Sequence, residues 1–142
     1  MKYSVVIDTN VLVTALRSRN GASYRLLSLL DSSKFSINVS VALVLEYEDA
    51  SKRLVGKKYP LSEKDIDDII DYICQVANHQ QVFYLWRPFL KDPGDDMVLE
   101  LAVAAQANVI VSYNKSDFQG IEEFGIVVLN PKEFLEKIGG FS

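Results

Sequence analysis

The sequence predicts an α/β fold, a three-layer α/β/α sandwich with a central parallel sheet of about five strands. Short continuous apolar runs, typical of strands buried on both faces, alternate with segments whose apolar residues are spaced as in helices. Glycines, prolines and polar residues separate the two kinds of segment. Such alternation implies right-handed crossovers between parallel strands. Because no linker, repeat or low-complexity tract divides the chain, we expect one domain over residues 1–142.

Each element has its own local signal. The apolar runs predict strands at 3–7, 35–40, 81–86, 108–113 and 126–129. Helical spacing predicts helices at 10–16, 23–30, 41–54, 66–73, 96–107 and 131–138. Ser40 is a typical N-cap for the third helix, and Gly56 and Pro60 mark its end. Pro131 suits the first turn of the last helix.

The composition favours a protein of the reducing cytoplasm. Hydrophobic residues make up 49% and charged residues 24% of the chain, which is ordinary for a globular domain. No apolar run is long enough for a bilayer, and the first residues lack a signal peptide's apolar segment. One cysteine offers no internal disulfide. We therefore expect no membrane partner.

The charge balance opposes one mode of nucleic-acid binding and permits another. The net charge is −4 and the pI about 5.0, which argues against capture of nucleic acid by an excess of basic residues. An enzyme that handles phosphates through a metal ion is still allowed, because the cation reverses the local field.

Acidic residues follow the predicted strands at the edge of the sheet where parallel α/β folds bind ligands. Asp8 ends the first strand, and the segment after the fourth contains Asn114 and Asp117. Glu46 lies in the helix after the second strand. The start of the helix leading into the fourth strand supplies an adjacent pair, Asp95 and Asp96.

Carboxylates that converge in this way require a cation. They raise one another's pKa unless a positive charge neutralises them, and hard oxygen ligands select Mg²⁺ or Mn²⁺ over zinc. No His or Cys spacing typical of a zinc site is present. Divalent ions on carboxylates commonly hydrolyse phosphodiesters. Nuclease chemistry is the function that these residues predict.

Three segments carry a family resemblance that covers about residues 3–130. They are "VVIDTNVLVTAL", "VLEYEDASKRL" and "KDPGDDMVLELAVAAQANVIVSYNKSDF". Together they resemble a PIN domain, and most of all the short VapC-like toxins of toxin–antitoxin pairs. The resemblance implies a metal-dependent endoribonuclease with an RNA substrate, a partner antitoxin and a homodimeric state.

The resemblance also implies roles for individual residues. Asp8, Glu46, Asp95 and Asp117 would be the catalytic acids, with Asp8, Asp95 and Asp117 binding the metal ion. Glu46 would hold or activate water.

Supporting roles follow in the same way. Asn10 would line the site beside Asp8, and Ser112 replaces the usual Thr. Asn114 stands where some members carry an Asp, which leaves Asp117 to supply the fourth acid. Asp95 or Asp96 could face the metal; the pattern favours Asp95, with Asp96 as its neighbour.

Ordinary structural roles compete with these catalytic and supporting roles. Asp8 and Asp95 could each cap a helix. The acidic cluster between Asp65 and Asp71 is the solvated face of an amphipathic helix. The basic stretch "KRLVGKK" at 52–58 is either an exposed helix end or a contact for a phosphate backbone, and the sequence leaves both open.

Three other functions compete with the nuclease. The alternative is a catalytically idle PIN-like module that binds protein or RNA, suggested by Asn114 and the acidic pI. A receiver domain would need an Asp after the third strand, where the chain has "LWRP". A dinucleotide-binding fold would need a GxGxxG motif, which the sequence lacks.

Overall fold

A computed structural model describes residues 2–57, 59–82, 89–90 and 92–139. The strands are β1 (Tyr3–Ile7), β2 (Phe35–Val39), β3 (Asn78–His79), β4 (Val109–Val111) and β5 (Val127–Leu129). The α-helices are α1 (Thr9–Arg17), α2 (Ala22–Leu27), α3 (Val41–Lys52), α4 (Glu63–Val76), α5 (Pro93–Ala104) and α6 (Pro131–Ile138). Two short 3₁₀ helices, Lys115–Phe118 and Ile121–Phe124, follow β4.

The strands form one parallel sheet in the order β3-β2-β1-β4-β5. The helices cover both faces, which confirms the predicted three-layer fold. β1 is central, and its Val5, Val6 and Ile7 are buried, as the continuous apolar run predicts. Among the described residues, none of the helices has the length and apolar character needed to cross a membrane.

The third strand that the structure describes begins before the predicted position. The structure has β3 at Asn78–His79, where Asn78 pairs with Asn38 of β2, and Gln81 and Val82 are not in a strand. Residues 83–86, the rest of the prediction, lie outside the described residues. β3 is at the edge of the sheet and consists of exposed polar residues, so backbone pairing with β2 forms it without an apolar signal.

Candidate active site

The candidate site lies where the strand order reverses at the carboxyl end of the sheet. From β1 the chain crosses to β2 on one side, and only later returns to β4 on the other. Ligands of open α/β sheets bind in the crevice at such a point. Here the two strands stay in register past the end of β1, since the Asp8 N–H donates to the Val111 carbonyl at 2.9 Å.

Asp8 combines a capping role with a place in the site. Its Oδ1 accepts a hydrogen bond from the Thr9 N–H at 2.8 Å as the N-cap of α1, and its Oδ2 accepts one from Ser112 Oγ at 2.7 Å. The side-chain amide of Asn10 lies 3.4 Å from both Asp8 Oδ2 and Ser112 Oγ. Burial raises the pKa of the Asp8 carboxyl despite these hydrogen bonds, and repulsion by nearby acids adds to the effect.

Glu46 is held against the start of α1. Its Oε2 accepts a hydrogen bond from Thr9 Oγ1 at 2.6 Å, so one residue, Thr9, contacts both acids. The next residue in α3, the buried Tyr47, donates its hydroxyl to the Ile7 carbonyl and ties α3 to the end of β1. α3 is thereby anchored beside the carboxyl end of the central strand.

The N-terminus of α5 packs closely against Glu46. Asp92 is the N-cap of α5 and accepts a hydrogen bond from the Gly94 N–H at 2.7 Å. A Cβ at Gly94 would lie 3.1 Å from Asp92 Oδ1 and 3.6 Å from Glu46 Oε1. A side chain there would therefore crowd both carboxylates.

Asp95 and Asp96 point to different surroundings, because adjacent helical residues are about 100° apart. Asp95 is half-buried and lines a cleft shared with Asp117. Asp96 is buried and its Oδ1 accepts hydrogen bonds from the N–H groups of Phe89 and Leu90, at 3.2 and 2.7 Å. Asp96 thus holds the segment before α5, while Asp95 is the member of the pair that faces the cleft.

Asp117 enters the site from the 3₁₀ helix after β4. Its N–H donates to the Asn114 carbonyl at 3.0 Å, and the neighbouring Phe118 is buried beneath it. Ser112 Oγ accepts a hydrogen bond from the Asn114 N–H at 3.0 Å while donating to Asp8. Asn114 therefore contributes its backbone to this turn; its side chain is exposed and does not cap the 3₁₀ helix.

Three of these acids line a cleft of about 430 Å³, which we call the acidic cleft. Asp92, Asp95 and Asp117 line it, and none of its lining residues in the described part of the chain is a lysine or arginine. Burial raises the pKa of Asp95 to about 6, and repulsion from the other acids contributes, in the order Asp117, Asp92, Asp8 and Glu46. Five carboxylates thus share one electrostatic environment.

The chemistry of these donors fits a hard divalent cation. All are carboxylate oxygens, the ligands that Mg²⁺ prefers, and a positive charge would relieve the repulsion that raises the pKa of Asp95. The side chains are not yet close enough together for a complete ligand set. Within the described ranges, no group of three or more His, Cys, Asp or Glu side chains is arranged to hold a metal ion. Direct coordination by three of these carboxylates would require them to move closer together, whereas Mg²⁺ that keeps several waters needs only one or two of them.

The predicted residues gather at one edge, with two additions. The structure places eight predicted side chains or backbone groups there: Asp8, Asn10, Glu46, Asp95, Asp96, Ser112, Asn114 and Asp117. Sequence reasoning missed Thr9 and Asp92. Both were signalled weakly, Thr9 inside "DTN" and Asp92 before Pro93, where an acidic N-cap is common.

Comparison with known proteins agrees with this geometry. An uncharacterized protein of Methanocaldococcus jannaschii is 27% identical over 153 aligned positions, which cover 99% of this chain and 95% of that protein. The model of the PIN domain family matches residues 4–116, a segment that includes Asp8, Glu46 and Asp95 and ends one residue before Asp117. PIN domains are generally nucleases. On the extent of this match, the chain belongs to the PIN domain family.

Proposed function

We propose that this protein is an endoribonuclease that depends on Mg²⁺ or Mn²⁺ and hydrolyses phosphodiester bonds in RNA. One observation carries the proposal: acids at the end of β1, in α3, at the start of α5 and in the turn after β4 lie close enough together that their repulsion adds to burial in raising the pKa of Asp95 to about 6. Membership of the PIN domain family supports a nuclease, and the acidic donor set supports a divalent ion.

Each acid has a role in this proposal. Asp8, Asp95 and Asp117 would hold the ion, which when bound supplies a Lewis acid that favours ionisation of water and stabilises charge on the phosphate. Glu46 would orient the attacking water and accept its proton. The hydrogen bond from Thr9 Oγ1 fixes one Glu46 oxygen, so the other is available for that proton.

The supporting residues would act through the acids. Ser112 and Asn10 would orient Asp8, which keeps its carboxylate turned toward the cleft. Asp96 would fix the segment before α5 and so the position of Asp95. Asn114 would shape the turn that carries Asp117.

The biological role rests on the resemblance to VapC-like proteins. We infer a toxin of a toxin–antitoxin pair, acting in the cytoplasm, homodimeric and restrained by an antitoxin protein. An antitoxin segment could lie across the acidic cleft and offer it a basic side chain, because the described residues that line the cleft supply none. A co-purification experiment with the product of a neighbouring gene would test this role.

Replacement of Asp8 tests the enzymatic proposal. Asp8→Asn keeps the size of the side chain and removes the charge, and we expect RNA cleavage in Mg²⁺ or Mn²⁺ to fall at least about 100-fold. A labelled RNA substrate with gel analysis measures the decrease. Asp71→Asn, on the exposed face of α4, is the matched control and should cleave at the wild-type rate.

Two results would contradict the proposal. Undiminished cleavage by highly purified Asp8→Asn would remove this carboxylate from the chemistry. Failure of the wild-type protein to bind either ion or cleave any RNA would instead favour the catalytically idle PIN-like module.

A further inference from the structure

A second cleft of about 440 Å³ has the opposite charge. Its lining residues are Arg17, Arg53, Leu54, Lys57 and Tyr59, and we call it the basic cleft. Its three cations form a local positive surface on a chain with net charge −4. The basic stretch at 52–58 supplies two of them, and the end of α1 supplies the third.

Contacts within the basic cleft fix Arg17 and leave charge available. Arg17 Nε donates to the Tyr59 hydroxyl at 3.0 Å, and the guanidinium lies 5.6 Å from the Tyr59 ring centroid. A guanidinium has five N–H donors, so this hydrogen bond leaves several for a ligand. Arg53 is paired with Asp49 at 2.5 Å, whereas Lys57 is exposed and has no ion pair within the described ranges.

The basic cleft lies on the same pair of helices as two of the acids, Asp8 and Glu46. α1 and α3 pack side by side, and the Thr9–Glu46 hydrogen bond joins them at the acidic end. Arg17 and Arg53 meet at the other end. Arg53 follows Glu46 by seven residues, which is about two helical turns on one face, so these two residues are separated by roughly 10 Å along α3.

Favourable interaction with helix dipoles explains only part of this arrangement. Arg17 and Arg53 stand at the C-termini of α1 and α3, where cations are stabilising. Lys57 and Tyr59 belong to the turn beyond α3, and this turn folds back toward Arg17. Gly56, at φ +83°, provides the left-handed conformation that the turn requires. The turn therefore adds a cation and an aromatic ring that the dipoles do not demand.

We propose that the basic cleft binds the phosphate backbone of the RNA substrate beside the bond that is cleaved. The inference rests on the proposed function for the identity of the ligand. RNA extending from Asp8 and Glu46 along α1 and α3 would bring a phosphate to Arg17 and Lys57. Exposed cations that contact phosphates supply most of the non-specific affinity for nucleic acid, and a protein with net charge −4 needs such a local surface.

Charge removal in the basic cleft tests this inference. In an Asp8→Asn background with Mg²⁺, fluorescence anisotropy of a labelled single-stranded RNA measures Kd at several salt concentrations. Arg17→Gln with Lys57→Gln should raise Kd about tenfold at low salt, and should reduce the slope of log K against log salt by about 1.4, or about 0.7 for each phosphate that a cation no longer neutralises. Lys57→Gln alone should reduce it by about 0.7.

The matched control removes two charges elsewhere. Lys2 and Lys137 are both exposed. Lys2 precedes β1 and Lys137 is in the last turn of α6, so both are remote from the carboxyl edge of the sheet. Lys2→Gln with Lys137→Gln should leave the slope unchanged. Thermal unfolding checks that each variant is folded, and Arg17→Lys should restore most of the affinity that Arg17→Gln removes.

The outcomes separate this inference from the nuclease proposal. With Asp8 restored, the double variant in the basic cleft should raise KM and change kcat by less than about twofold. Cleavage with unchanged KM and unchanged salt slope would overturn the inference and leave the nuclease proposal intact. A double variant that loses binding of an acidic peptide but not of RNA would do the same. RNA binding that depends on the basic cleft, without any cleavage, would support the inference and overturn the nuclease.

Discussion

Two groups of carboxylates in this protein have opposite electrostatic environments. On α4, four aspartates face solvent in the group Asp65, Asp67, Asp68 and Asp71. Lys64 pairs with Asp68 at 3.0 Å, and Lys52 with Asp67 at 3.2 Å. Hydrogen bonds with Ser62 lower the pKa of Asp65. In the acidic cleft, by contrast, burial and mutual repulsion raise the pKa of Asp95 to about 6.

This contrast shows that the number of acids does not define a site. The α4 acids are satisfied by water, lysines and a helix N-terminus, so a cation would add little there. The acids that interact with Asp95 come from four separate elements, and the described residues lining the cleft include no basic partner. Folding in that region leaves a repulsion that an external cation would relieve.

The gain in stability on metal binding should differ most between variants of the two groups of carboxylates. At a Mg²⁺ or Mn²⁺ concentration about 100 times Kd, the free energy of unfolding should rise by about 2.7 kcal/mol, because the ion binds only the folded site. Asp95→Asn should abolish most of this gain, while Asp71→Asn should retain it. Denaturant unfolding with the ion and with a chelator measures both.

An equal loss of the metal effect in both variants would remove the contrast between the groups. It would mean that the ion stabilises the protein through general charge screening and not through the acidic cleft.

In chelator, Asp95→Asn should change the free energy of unfolding by a smaller amount and in the opposite direction. The pKa of Asp95 is higher in the folded state than its ordinary value of 3.8, so its contribution to stability is fully present below pH 3.8 and is lost as pH rises through about 6. Asp95→Asn should therefore stabilise the protein at pH 7, on the order of 1 kcal/mol after allowance for solvent screening. Urea unfolding at about pH 4.5 and about pH 7 would show a larger gain at the higher pH.

Asp65 provides the reverse case on α4. The pKa of its carboxyl is lowered in the folded state, so its contribution is present above pH 3.8 and is lost as the carboxyl is protonated. Asp65→Ala should destabilise the protein at pH 7, because it removes the capping box formed with Ser62. The same sign of change in both variants would contradict the contrast between the groups.

The sequence predicts the fold and most of the site because both follow from buried periodic segments. The apolar runs at β1 and β4 indicate parallel strands, and parallel strands bring Asp8 and Asp117 to one edge. Which of Asp95 and Asp96 faces the cleft depends on the residue at which α5 begins. The periodicity of apolar residues does not locate the start of a helix to a single residue. The sequence does not predict β3 at Asn78–His79, because an exposed edge strand needs no apolar pattern.

Tertiary contacts account for what sequence reasoning could not find. Thr9 matters because Glu46 approaches it from α3, 37 residues away. The basic cleft forms only when the turn after α3 folds back against Arg17. Thr9 stands inside "DTN" and two of the cations inside the basic stretch, but neither pattern indicates which distant residue makes the contact.

The position of bound Mn²⁺ gives the sharpest test of the metal assignment. Crystals grown or soaked with Mn²⁺ and measured for anomalous scattering would locate the ion without reference to activity. We predict a peak in the acidic cleft, coordinated by Asp8, Asp95 and Asp117. A peak only on the acidic face of α4, or none at an ion concentration that supports cleavage, would contradict the claim that the repelling carboxylates of the cleft are the metal ligands.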